Sequence, residues 1–84
     1  MLPRVVGLEV LPEHRLSVTF SDGVRGTVLW AESAFTGVFE PLRDPQFFRQ
    51  ALIDHGAIAW PNGADLAPDA MHAEFRRCGE MIVA

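Results

Sequence analysis

The sequence predicts an α+β domain: an antiparallel β-meander plus a β-hairpin, with two short helices packed on one face. Three observations carry this reading. Leu16, Val18 and Phe20 alternate with Arg15, Ser17 and Thr19, the period-two pattern of a half-buried strand. Turn signals recur at Pro12-Glu13-His14, Ser21-Asp22-Gly23 and Asn62-Gly63. Two helix starts are marked by proline, at Asp44-Pro45 and Pro68-Asp69.

The elements follow in order. Val5 to Leu11 is apolar but for Gly7 and Glu9, and strand geometry places Val6, Leu8 and Val10 on one face. Arg15 to Phe20 is the second strand. Val24, Val28 and Trp30 mark a third, with Gly26 in the file, where a bulge or a close neighbour is expected. Ala31 to Phe35 fits one helical turn. Val38 to Leu42 is a loop that drops Phe39 and Leu42 into the core. Asp44 is the expected N-cap and Pro45 the first position of a helix that carries Phe47, Phe48, Ala51 and Leu52 on one face. Conversion to strand is placed near Ala51, and a hairpin across His55-Gly56 leads to Trp60.

The chain is organised around the corner Trp60-Pro61-Asn62-Gly63-Ala64-Asp65-Leu66-Ala67-Pro68-Asp69. Pro61 has no N–H for a ladder and ends the strand. Asn62 and Gly63 tolerate positive φ and turn the chain. Asp65 is expected to accept backbone N–H groups across the following turn. Pro68 opens the second helix and Asp69 sits at the positive end of its dipole. Met71, Phe75 and Cys78 then share a helical face, and Gly79 terminates it.

Eighty-four residues are read as one domain, residues 1–84. The net charge is −4 and the seven positive residues, all arginine, are scattered. That argues against a nucleic-acid surface for the isolated chain. One cysteine permits no internal disulfide, and no apolar run approaches the ~20 residues of a membrane span. Pro3 and Arg4 interrupt any signal-peptide core, so a soluble cytoplasmic protein without a membrane partner is expected.

With the corner motif, Val18-Thr19-Phe20-Ser21-Asp22-Gly23, Gly37-Val38-Phe39-Glu40-Pro41-Leu42 and the pair Phe47-Phe48, the chain resembles domain-of-unknown-function family 2442, small bacterial proteins, from Val5 to about Phe75. The resemblance implies a compact α+β domain. Some such proteins carry a helix-turn-helix domain further on. The chain as given runs to Ala84, and neither that domain nor its DNA binding is expected here. The resemblance also implies a role as the smaller partner in a toxin–antitoxin-like pair, and it transfers no catalytic or binding residue. The family often has an aromatic shortly after Pro-Asp, commonly Tyr; Met71-His72 stand there instead.

Each chemical candidate has a structural competitor. Asp65, Asp69 and His72 are the types that ligate transition metals, but the spacing supplies no third ligand of fixed geometry, so they read as corner, helix start and solvated imidazole. His14 and His55 fall in turns and read as exposed. Ser21 and Ser33 lie in no Gly-x-Ser-x-Gly elbow. Cys78 reads as half-buried beside Met71 and Phe75, and Gly23, Gly26 and Gly37 lack phosphate-loop spacing. Trp30 and Trp60 read first as core, with recognition as the alternative role for one of them. No catalytic residue, metal or cofactor is therefore expected, and the chain does not read as an enzyme.

The resulting expectation is a small protein-interaction module, antitoxin-like, with another small bacterial protein as partner. The face of Arg15, Ser17 and Thr19 is small and polar, so recognition is assigned to a sheet edge or to an interaction rim of Trp60, Pro61, Asn62, Gly63 and Asp65. The same edge suits a homodimer about a two-fold axis when no partner is present. The alternatives are a nucleic-acid-binding regulator acting within a complex, and a small-molecule binder with its pocket near Trp60 and Asp65.

Overall fold

The computed structural model describes residues 3–84. Strands β1 (Val5–Leu11), β2 (Arg15–Phe20) and β3 (Arg25–Trp30) form the expected meander. β2 is central, and its Leu16, Val18 and Phe20 are buried while Arg15, Ser17 and Thr19 are half-buried on the other face. The strict alternation of its residues produces this, because successive side chains leave a strand on opposite sides.

β1 departs from its expected phase. A bulge between Val5 and Gly7 shifts the register, so Val5 is buried and Val6 is 59% exposed. One extra residue reverses the facing of everything before it. Val5, Leu8 and Val10 therefore meet the core, where the sequence pattern placed Val6, Leu8 and Val10.

Beyond β3 the chain makes a 3-10 turn at Glu32–Ala34 and a 3-10 segment at Gly37–Arg43, which buries Leu42 and half-buries Phe39 as expected. Helix α1 (Pro45–Phe48) is a single turn. Its N-cap is Asp44, whose Oδ1 accepts from the Gln46 N–H at 3.0 Å. Phe48 is buried, but Leu52 is not on this helix. It opens strand β4 (Leu52–Asp54), opposite Ala59, and is exposed. The helix stops before a second turn can carry Leu52 round to its inner face.

β4 pairs antiparallel with β5 (Ala57–Ala59) across His55 and Gly56, both at positive φ. The short strand β6 (Asp65–Leu66) pairs with β5, making a second, three-stranded sheet. A backbone bond from Val5 N–H to the Gly56 carbonyl, 2.9 Å, ties the two sheets together.

Helix α2 (Pro68–Cys78) buries Met71 and Phe75. It ends as expected at Gly79, whose φ of 80° suits a residue without Cβ and whose N–H reaches the Phe75 carbonyl at 2.9 Å. Cys78 is exposed, against the half-buried expectation. The strand after it, β7 (Glu80–Val83), lies parallel to β3 and completes a mixed sheet in the order β1-β2-β3-β7.

Gly26 shows how closely α2 lies on β3. A Cβ there would stand 2.4 Å from a Phe75 ring carbon and 2.7 Å from the Gly79 carbonyl oxygen. The close neighbour expected at this glycine is the helix. Phe20, Phe48, Ile58, Trp60 and Met71 join residues from both sheets and both helices in one core.

Candidate functional site: the corner and the open edge of the first strand

Trp60, the aromatic of the corner, is 3% exposed. Its indole N–H donates to the Phe48 carbonyl at 3.0 Å, and its ring lies 5.7 Å from Trp30 and 5.9 Å from Phe48. The exposed members of the rim are Pro61, Asn62, Gly63 and Asp65. Among the described residues, the Asp65 carboxylate accepts no hydrogen bond; Asn62 holds the corner instead. Its Oδ1 accepts from the Ala64 N–H at 3.1 Å and its Nδ2 donates to the Val38 carbonyl at 2.9 Å. A carboxylate lacks the donor that this second bond needs.

The metal candidates do not come together. His72 turns away from Asp65 and Asp69 to meet Asp22 at 2.8 Å, and it is largely buried against Phe20. Among the described residues no cluster of three potential ligands forms. The Asp22 carboxyl is held below its ordinary pKa, first by the hydrogen bond from His72 and then by the Val24 N–H. His55 is fully out in solvent beside Asp54. Ser21 Oγ accepts from the Arg4 N–H at 3.2 Å, and Ser33 is exposed.

His14 is not the exposed turn residue expected. Its Nε2 lies 2.9 Å from the Arg43 carbonyl oxygen. A carbonyl only accepts, so Nε2 carries the proton. The ring packs edge-on against Phe35 and Phe48, at 5.1 and 4.9 Å. Arg43 stacks over Phe35 and pairs with Glu32.

His14 forms part of a cleft of about 430 Å³ with Val10, Leu11, Pro12, Glu13, Pro45, Phe48 and Arg49. Neither Trp60 nor Asp65 borders it. One wall is the edge of β1. The Phe20 N–H bonds the Val24 carbonyl, so Phe20, Val18 and Leu16 point their peptide groups at β3. Ser17 and Thr19 then point theirs at Glu9 and Gly7 on β1. The peptide groups of Leu8 and Val10 face outward, and among the described residues they have no partner on that side.

Fold and site together define a small two-sheet α+β domain with an unpaired strand edge beside an apolar cleft. The chain belongs to DUF2442, a family described as proteins of unknown function, whose profile matches residues 5–77. No curated protein and no solved structure matches the chain. Among the described residues no helix is long and apolar enough to cross a membrane.

Proposed function

We propose that the chain is a small protein-interaction module that receives an extended segment of a partner protein as an added strand along β1. The observation that carries this reading is the pair of outward peptide groups at Leu8 and Val10, opening beside an apolar cleft. A strand edge offers a ladder of donors and acceptors, and an adjoining pocket supplies the side-chain selectivity that the ladder lacks. The other edges offer less. β4 has three residues and β6 two, and on β7 the Glu80 carbonyl already accepts from the Cys78 thiol at 3.2 Å. A partner among small bacterial proteins, with this chain as the antitoxin-like member, is the physiological form of the same reading.

The test is purification of the tagged chain from its native host, with and without nuclease, followed by hydrogen exchange on the complex. The expected result is a stoichiometric protein that survives nuclease and protects the Leu8 and Val10 amides. Loss of all bound material on nuclease treatment would replace this reading with a nucleic-acid one. Protection at Asn62 and Gly63 alone would move the interface to the rim.

A further inference from the structure

We infer that the segment received at β1 places an apolar side chain over Phe48 and, two residues away on the same face, an acidic side chain against Arg49. This rests on the interaction-module reading and specifies its partner.

The argument begins with parity. Val10 has its peptide groups at the open edge and its side chain on the inner face of the sheet, packed on the core. In an antiparallel pair, directly opposed residues project to the same face. The residue that pairs with Val10 therefore sends its side chain inward as well. On that side lies the cleft formed by Val10, Phe48, Pro45 and His14. An apolar residue fits such walls, and its burial there supplies the hydrophobic part of the binding.

Charge then selects the neighbour. The charged side chains on the cleft are Arg49 and Glu13. Arg49 directly follows Phe48 in the chain. Its Nε only reaches back to the Pro45 carbonyl at 3.5 Å, and among the described residues it has no carboxylate within ion-pair distance. Glu13 lies past the last residue of β1, on the hairpin turn. An acidic residue two positions from the apolar anchor, and so on the same face, thus meets an unpaired guanidinium, while the partner's residues toward the turn are best neutral or basic.

The test is selection of a random octapeptide display library on the purified chain, with amide chemical shifts used to locate the selected peptides. The expected consensus is an apolar residue with Asp or Glu two positions away, shifting the Leu8 and Val10 amides. Arg49→Glu should weaken a selected peptide about threefold to fivefold and favour its Lys-for-Glu counterpart by a similar factor, the scale of an exposed ion pair. Val10→Pro removes an outward N–H at a sheet edge and replaces the valine side chain by a similar-sized apolar ring, leaves the β1–β2 ladder bonded, and should weaken binding about fivefold. Peptides that bind at Leu8 and Val10 with no preference for charge, in parent and Arg49→Glu alike, would overturn the acidic partner while leaving the interaction edge intact. Selection of peptides that shift β7, or of none, would overturn both. A dimer in sedimentation that Val10→Pro dissolves would identify a second copy as the occupant and overturn this inference.

Discussion

His72 on α2 and Asp22 on the β2–β3 turn are fifty positions apart and lie 2.8 Å from each other. The contact fastens the start of α2 to the meander, and the imidazole edge rests on the Phe20 ring. The Asp22 carboxyl is depressed by this hydrogen bond first. A depressed carboxylate contributes stability above its unfolded-state pKa, and that contribution is lost as the pH falls through the lower folded-state value. The loss should therefore fall below about pH 4. Melts recorded between pH 5 and 2 should show a steeper acid decline for the parent than for Asp22→Asn. Equal slopes would show that the carboxylate contributes nothing.

Asn62, and not Asp65, should be the sensitive polar residue of the corner. Asn62→Ala removes two hydrogen bonds, to Ala64 and Val38, and should cost about 1–2 kcal/mol. Asp65→Ala should stay within about 0.5 kcal/mol of the parent. Urea unfolding of the two variants checks the contrast, and a reversed order would return the capping role to the aspartate.

Gly26 admits no side chain without moving α2. Gly26→Ala drives a methyl into the Phe75 ring and toward the Gly79 carbonyl, and should destabilise the domain by about 1–3 kcal/mol. Adding Phe75→Leu should recover part of this. If Gly26→Ala unfolds at the parent's midpoint, the helix does not sit this close to β3.

The two tryptophans should respond differently to Phe. Trp60→Phe removes one of the two donors to the Phe48 carbonyl, leaving only the Ala51 N–H, a loss of about 0.5–1.5 kcal/mol beyond the volume change. Among the described residues the buried Trp30 indole nitrogen has no partner, so Trp30→Phe removes an unsatisfied donor and should cost less. Denaturation midpoints that rank Trp30→Phe as the more damaging change would contradict this.

Much of the fold was legible because its signals are local. The alternation in β2, the cap at Asp44-Pro45, the turn at Asn62-Gly63 and the stop at Gly79 each act within a few residues. What escaped depends on distant partners or small irregularities. β7 is four residues whose strand character comes from parallel pairing with β3. The bulge in β1 leaves no mark in an apolar run where Val5 and Val6 are interchangeable by pattern. Asn62 prevails over Asp65 because Val38 is near, which spacing does not reveal. The cleft joins β1 to α1, elements that no motif connects, so the candidate site was the least legible part. Arg49 and His14 acquire their setting only once Phe48 lies between them and the core.

The parallel register of Thr27 with Glu80 also bears on how the chain folds. The meander closes through short turns, whereas β7 must wait for most of the polypeptide to be gathered before its pairing repays the closure entropy. β1 to β3 are then the natural nucleus, and α2 with β7 docks afterwards, guided by the notch at Gly26. Stabilising changes on α2 and β7 should slow unfolding and leave the folding rate nearly unchanged.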